Sequence, residues 1–206
     1  RAHERAGRLQ TLAVALSGAA TPAEVYEAVL RHGVGAGDAA DGASALRAYS
    51  GTLFLYDDEK LTLVGSSHAV PTLLEQYRRL ELSAPVPAAE AVRAGAPIWI
   101  SSQAEFVARY PHLAEDIRLL QSEAAVSLPM AAGGRVLGVL NMTFAQPLAF
   151  GADERGFLLA VAELAAQALE RSRLLEAERT ARQHLEETTA VLGAVLEFLV
   201  NHEPDL

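Results

Sequence analysis

Few residues in this 206-residue sequence have the types and spacing that catalysis requires. Asp57, Asp58 and Glu59 lie together on a predicted turn, where solvated like charges do not give an acid and a base with separate environments. Glu115 and Asp116 are adjacent in a predicted helix and give no such pair either. The sequence contains no His-x-x-x-His, phosphate-loop or nucleophile-elbow motif. We therefore expect no catalytic residues, no metal site and no enzyme activity in this segment.

Polar and aromatic side chains on predicted strands are better suited to binding a ligand. His68 ends a strand, where its imidazole could coordinate haem iron or hydrogen-bond a ligand carbonyl, although a lone histidine also fits a surface loop. Trp99 could stack on a ligand ring or fill the core. Serine and asparagine on strands orient ligands in pockets but also occupy ordinary solvent-facing positions. The candidate ligand contacts are Phe54, Ser66, His68, Trp99, Ser127, Met130 and Asn141.

Composition excludes several classes of partner. The formal net charge of -9 opposes binding to nucleic acid, because a phosphate-binding surface needs basic groups. The sequence has no cysteine, which excludes disulfides, thiolate metal sites and any bilin or haem attached through sulfur. The most apolar helical run, residues 157–169, contains Glu163 and is too short to span a bilayer. We expect a cytoplasmic protein without membrane contact, and its cofactor, if it has one, stays unknown.

Alternating apolar residues predict the strands that would position these side chains. Residues 45–57 and 61–69 flank a turn and predict one hairpin. Residues 124–132 and 136–144 flank Gly133-Gly134, a pair that favours a tight primed turn, and predict a second hairpin. A brief strand is predicted at Ile98-Trp99-Ile100.

Helical spacing and capping residues predict the helices around these strands. Residues 1–18 form an amphipathic helix, and Thr21 with Glu24 forms a capping box that opens the next helix. A further helix is predicted to begin after Asp153 as its N-cap and to continue to about Val200. The shorter predicted helices cover residues 72–80, 87–94, 103–110 and 111–121. Hairpins separated by helices favour an α+β fold, with an antiparallel sheet and helices on one side.

The last predicted helix keeps a heptad repeat in its second half, and it is too long to pack on one small domain alone. We therefore expect a homodimer formed through the terminal helices. The apolar residues assigned to this dimer helix are Leu174, Ala181, Leu185, Leu192, Val195 and Leu199.

Three segments carry a family resemblance: VPAAEAVRAGAPIWISS, SLPMAAGGRVLGVLNMTF and FGADERGFLLAVAELAAQALERSRL. They resemble a GAF domain, a small-molecule-sensing relative of PAS domains. The resemblance implies a six-stranded antiparallel sheet, outer helices that mediate parallel dimers, and a pocket on the opposite face. It assigns residues 1–173 to a GAF-like sensory domain of a bacterial signalling protein. Residues 174–206 would then be a coiled-coil linker to an output module such as a histidine kinase.

The resemblance does not identify the ligand. Cysteine-linked bilin binders and GAF-type methionine sulfoxide reductases are excluded because the sequence has no cysteine. Cyclic-nucleotide binders of the phosphodiesterase type carry an Asn-Lys motif, whereas Met142 follows Asn141 here, so we do not expect cyclic-nucleotide binding. Three hypotheses stay open. The domain binds a small molecule or dimerises and relays a signal, or it is a ligand-free structural module for dimerisation, or it senses haem through His68.

Overall fold

The computed structural model describes residues 2–34, 48–57, 59–67 and 70–201 of the chain. Six strands form one antiparallel sheet: β1 Ser50–Asp57, β2 Lys60–Ser67, β3 Arg79–Glu81, β4 Ile98–Ile100, β5 Ala124–Ala132 and β6 Arg135–Phe144. Their order across the sheet is β3-β2-β1-β6-β5-β4. The predicted α+β fold with a six-stranded antiparallel sheet is confirmed.

Seven α-helices are described: α1 Ala2–Gly18, α2 Pro22–Ala28, α3 Pro71–Gln76, α4 Pro87–Ala94, α5 Gln103–Arg109, α6 Ala114–Leu119 and α7 Ala152–Asn201. A π-helical turn, Val29–Val34, continues α2, and a 3-10 turn, Pro111–Leu113, precedes α6. Gly33 lies inside the π-helical turn. A Cβ there would lie 2.9 Å from Val161 Cγ1, so glycine permits close packing of this turn on α7.

The two faces of the sheet carry different layers, because successive strand residues point to opposite sides. On one face, Val126, Leu128 and Leu140 share a core with residues of α1, α2 and α7, and we call this the helix face. On the other, Ala125 and Val139 share a second core with residues of α4, α5 and α6. We call this the cavity face. The long helix α7 therefore lies on one face as the fold prediction required, and short helices cover the opposite face as well.

Local signals in the sequence set several boundaries correctly. Gly133 and Gly134 have φ angles of +58° and +78°, as a two-residue primed turn between β5 and β6 requires. The Thr21 side chain accepts a hydrogen bond from the Glu24 backbone N–H, and the Glu24 carboxylate accepts one from the Thr21 N–H, which confirms the capping box. Helix α7 begins at Ala152, so Asp153 lies in its first turn and is not the N-cap.

One predicted helix is partly wrong. The segment predicted as helix through Leu80 forms α3 only as far as Gln76, and Arg79–Glu81 is strand β3. Leu80 is buried while its two neighbours are exposed, which is the period-two pattern of a sheet edge. Pairing of β3 with β2 also places Lys60 Nζ 3.5 Å from Glu81 Oε1. Tertiary pairing therefore overrides the helical tendency of this short segment.

Helix α7 changes its surroundings along its length. Val161, Ala165 and Leu169 are fully buried in the core of the helix face, and Ser172 is buried too. From Leu174 to Ala194 every side chain is exposed. The part of α7 assigned to a dimer therefore extends beyond the sheet, while the division into domains at residue 173 stays a prediction.

Candidate functional site

A cavity of about 170 Å³ lies on the cavity face of the sheet. Residues of β1, β2, β5 and β6 line one side of it, and residues of α3 and α6 line the other. Its walls are mainly apolar. The apolar side chains that line its helical side include Leu73, Leu74, Ile117 and Leu120. Such a space, enclosed by apolar groups with a few polar ones, has the composition of a small-molecule site.

A row of polar side chains crosses the sheet side of this cavity. Thr52 pairs with Ser66 across β1 and β2 and with Asn141 across β1 and β6. Asn141 pairs in turn with Ser127 across β6 and β5. Directly opposed strand residues share a face of the sheet, so the four side chains line up, and all four border the cavity. Thr143, two residues beyond Asn141, adds a further hydroxyl to the same surface.

Three atoms of this polar surface have unused hydrogen-bonding capacity. Among the described residues, Ser66 Oγ, Asn141 Oδ1 and Thr143 Oγ1 are buried and have no hydrogen-bond partner within the protein. The other side of the Asn141 amide is occupied, because its Nδ2 donates to Thr52 Oγ1 over 3.1 Å. A buried polar group without a partner costs about 1–3 kcal/mol. The unpaired atoms therefore mark where a bound molecule or ordered water would be stabilised.

The helical side of the cavity carries one hydrogen-bonded pair, in which the Tyr77 hydroxyl donates to Asp116 Oδ2. Burial raises the pKa of the Tyr77 hydroxyl well above its ordinary value, and the neighbouring Asp116 carboxylate raises that pKa further. Tyr77 therefore stays a neutral donor. The pair connects the end of α3 to α6 beside the cavity.

The formal charge in the described lining of the cavity is of one sign, negative. Of the described residues that line it, Asp116 is the only one with a formal charge and none is basic. An anion in this cavity would be desolvated without a countercharge, which is costly. The site therefore disfavours carboxylates and phosphates.

The structure brings together four of the residues predicted to contact a ligand. Phe54, Ser66, Ser127 and Asn141 all line the cavity. Ligand contact itself stays a prediction for each of them. Sequence reasoning missed Thr52, Thr143, Tyr77 and Asp116 as lining residues. The two threonines carried a usable signal, because each lies two positions from a predicted contact on the same strand.

Two predicted contacts lie on the helix face, away from the cavity. Met130 is fully buried in the core of the helix face, because it is three residues from Ser127 on β5 and so points to the opposite side. Trp99 packs against the same core, with its ring centroid 5.2 Å from that of Phe150 and the Arg155 guanidinium 5.1 Å from it. Trp99 is thus a partly buried residue that packs against the core of the helix face. His68 lies outside the described residues.

The described residues contain neither a metal-binding cluster nor a membrane-spanning helix. No group of three or more His, Cys, Asp or Glu side chains within residues 2–34, 48–57, 59–67 and 70–201 could hold a metal ion. In the same ranges, no helix combines the length and the apolar character needed to cross a membrane.

A family model for the GAF domain matches residues 19–170, which is most of the chain and includes every described residue that lines the cavity. The chain belongs to the GAF domain family. The family supplies a sensory and regulatory fold, and here its sheet, outer helices and cavity are all present. No match to a curated protein sequence was found.

Solved structures show the same fold at low sequence identity. The GAF domain of a phosphoenolpyruvate-protein phosphotransferase from Coxiella burnetii aligns with a TM-score of 0.64 and 16% identity, covering 86% of this chain and 99% of that one. A domain of a putative two-component sensor histidine kinase from Sinorhizobium meliloti 1021 aligns with a TM-score of 0.56 and 23% identity. The alignment covers 76% of this chain and 95% of that one. Free methionine-R-sulfoxide reductase from Neisseria meningitidis, solved with its substrate, aligns with a TM-score of 0.61 and 14% identity. The alignment covers 84% of this chain and 92% of that one.

Proposed function

We propose that this GAF domain is a sensor that binds a small molecule in the cavity and relays binding through α7 to an output module such as a histidine kinase. The observation that carries the proposal is the set of three unpaired, buried oxygen atoms, on Ser66, Asn141 and Thr143, that border one cavity. Unpaired polar atoms are destabilising in a domain that serves only as a spacer. A bound molecule would give them partners.

The sheet offers a short physical route from the cavity to α7. Ser127 and Asn141 border the cavity, while the alternating residues Leu128 and Leu140 pack in the core of the helix face. Leu169 of α7 belongs to that same core. A ligand that moves β5 or β6 would therefore change the packing of α7. Such a relay requires the ligand to bind one arrangement of the sheet and helix more tightly than the other.

We further propose that α7 pairs with its copy in a second chain. The predicted heptad residues Leu174, Leu185 and Leu192 are 61%, 67% and 58% exposed. Ala181 lies on the same line and is also exposed. Large apolar side chains at this spacing are stabilised when another helix covers them. Nothing is described for the side chains of Val195 and Leu199, so their part in the heptad stays a prediction.

We propose a regulatory role without catalysis. In the part of the cavity that the structure describes, no serine or threonine hydroxyl is hydrogen-bonded to a base, and the Asp116 carboxylate accepts the Tyr77 hydroxyl. An activated nucleophile needs such an adjacent base. The absence of cysteine from the sequence also removes the thiol chemistry expected of GAF-type reductases.

Native mass spectrometry of the protein purified without denaturation tests the binding proposal. We expect an additional mass that is lost on denaturation, and lost or reduced in a Thr143→Val, Asn141→Leu double variant. Thr62→Val is the matched control. Thr62 does not border the cavity and precedes Leu63, which does, so it points to the opposite face. An added mass that the double variant retains in full would place the ligand elsewhere and contradict the proposal.

A further inference from the structure

We infer that the ligand is a compact, uncharged molecule with an apolar body and at least one N–H or O–H donor directed at Asn141. This inference rests on the proposed function, because it specifies the chemistry of the same cavity. The unpaired atoms, the charge of the walls and the volume of the cavity each restrict the chemistry of the ligand.

The need for a donor follows from Asn141. Its Nδ2 donates to Thr52 Oγ1, and its Oδ1 has no hydrogen-bond partner among the described residues. A carbonyl oxygen can only accept, so its partner must carry an N–H or O–H group. The unpaired hydroxyls of Ser66 and Thr143 can donate or accept, so they tolerate either kind of group on the ligand. Asn141 is therefore the residue that selects a donor.

The expectation of an uncharged ligand follows from the charged side chains in the cavity lining. The described lining has no basic side chain, so an anion would have no partner. Its one acid, Asp116, is on the helical side and accepts the hydroxyl of Tyr77, whereas the unpaired atoms lie on the strands. A cation directed at the strand atoms would be desolvated among neutral acceptors, away from this carboxylate, which is costly. A neutral donor would form hydrogen bonds with the strand atoms and leave the hydrogen bond between Tyr77 and Asp116 intact.

The volume limits the size of the ligand. An apolar cavity of roughly 150 Å³ accommodates a benzene molecule. The cavity here, at about 170 Å³, is close to that size. It therefore suits a molecule of about six to nine non-hydrogen atoms. A nucleotide, a bilin or haem is far larger than this volume, so most of such a molecule would lie outside the described walls.

Phenol and toluene make a matched pair of probes, because they have the same shape and differ in the donor. Binding of each to the full chain can be measured by NMR titration, with the side-chain amide signal of Asn141 as the local reporter. We expect phenol to bind and to shift that signal. Replacement of Asn141 by Leu should lower the preference for phenol over toluene by about tenfold, the usual effect of one net hydrogen bond.

Two more variants keep this test informative if Asn141→Leu fails to fold. Thr143→Val removes an unpaired hydroxyl at nearly constant shape, and it should change the ratio of phenol to toluene affinity while leaving toluene binding intact. Thr62→Val makes the same chemical change on the helix face and should leave both affinities unchanged. Benzoate and benzylamine supply an anion and a cation of similar size.

The possible results separate this inference from the proposed function. Equal binding of toluene and phenol by the unmodified protein would overturn the donor requirement while small-molecule binding survived. Tighter binding of benzoate or benzylamine than of phenol would overturn the absence of charge, again without removing the sensor proposal. If no probe binds and native mass spectrometry finds no added mass, both the inference and the proposed function fail.

Discussion

The hydroxyl of Thr143 has a measurable consequence for stability. It is buried and has no hydrogen-bond partner among the described residues, so a methyl group of the same shape should be preferred in the ligand-free protein. We expect Thr143→Val to raise the free energy of unfolding by about 1 kcal/mol, measured by urea denaturation. Thr62→Val, on the opposite face, should change it by less than about 0.5 kcal/mol. A loss of stability in Thr143→Val would mean that the hydroxyl has a partner such as ordered water.

Gly138 is required by a close approach of two strands. It opens the Gly-Val-Leu segment of β6 and pairs with Leu55 of β1. A Cβ at Gly138 would lie 2.1 Å from the Phe54 carbonyl oxygen, a backbone atom that cannot move without distorting β1. We expect Gly138→Ala to destabilise the protein by about 2–4 kcal/mol in thermal or urea unfolding.

A second glycine provides the matched control for that substitution. Gly156 lies in α7, is exposed, and has no atom within 4 Å of where its Cβ would be. Gly156→Ala should therefore stabilise the protein by up to about 1 kcal/mol through helix propensity. If both alanine variants change stability in the same direction, the explanation from strand contact is wrong.

At the residue scale the sequence located a minority of the cavity surface, namely Phe54, Ser66, Ser127 and Asn141. Ser66, Ser127 and Asn141 could be predicted because polar residues stand out on otherwise apolar strands. Met130 lies on the helix face, away from the cavity, and its odd spacing from Ser127 already implied that opposite face. The pairing of Thr52 with Asn141 could not be foreseen, because it depends on the register between β1 and β6, which lie far apart in the chain.

At the scale of elements, Glu90 connects α4 to the end of α5. Its carboxylate pairs with the Arg109 guanidinium, and Oε2 accepts the Tyr110 hydroxyl over 2.5 Å. The Tyr110 hydrogen bond, followed by Arg109 and by the nearby charge of Arg93, lowers the pKa of Glu90 below its ordinary value of 4.5. Because the folded-state pKa is lowered, this stabilisation is present above pH 4.5 and is lost as the pH falls through the lowered pKa.

Glu90→Gln tests this connection between helices. The amide keeps the shape but removes the charge, so we expect lower stability at neutral pH and a smaller loss on acidification than in the unmodified protein. Unfolding by urea at a series of acidic pH values measures both. Glu115→Gln is the control, because the ion pair that Glu115 makes within the described residues is with Arg118 of its own helix, and Glu115 is 66% exposed. Equal pH dependence of the Glu90 variant and the unmodified protein would contradict the assignment.

Elements with their own local signals were predicted well. The capping residues of α2, the Pro87–Ala94 helix and the Gly133-Gly134 turn each follow from adjacent residues. Arg79 and Leu80 of strand β3 were predicted as helix, because a three-residue strand is defined by its pairing with β2 and its own sequence is too short to show a strand pattern. Local physics therefore fixes helices and turns, while edge strands depend on the neighbour that they meet.

For the whole molecule, the sequence predicts the layers but not the cavity. Hairpins and amphipathic helices imply a sheet with a covering layer. Which face the short helices occupy depends on connections whose geometry is not encoded in hydrophobic periodicity. The cavity lies between the polar row of the sheet and the helices α3 and α6. The hydrogen bond between Tyr77 and Asp116 connects these two helices. That arrangement is a property of the assembled fold.

The exposed half of α7 predicts the oligomeric state. Ala181 lies on the heptad line with Leu185 and Leu192, whereas Ala190 lies on the opposite side of the helix, five positions after Leu185. Both alanines are exposed in the single chain, so glutamate should be tolerated equally by the fold at either position. If two copies of α7 pair, Ala181→Glu would place a charge inside the pair and Ala190→Glu would place one in solvent.

We therefore expect sedimentation equilibrium to show a dimer for the unmodified chain and for Ala190→Glu, and a dissociation constant raised at least about tenfold for Ala181→Glu. Unfolding of the sheet core should be unchanged by either substitution when measured at concentrations where both are monomeric. A monomer at high micromolar concentration in the unmodified chain would rule out pairing through α7. Equal weakening by both substitutions would instead show that the two copies meet on a different side of the helix, and the relay would then have to act through that other surface.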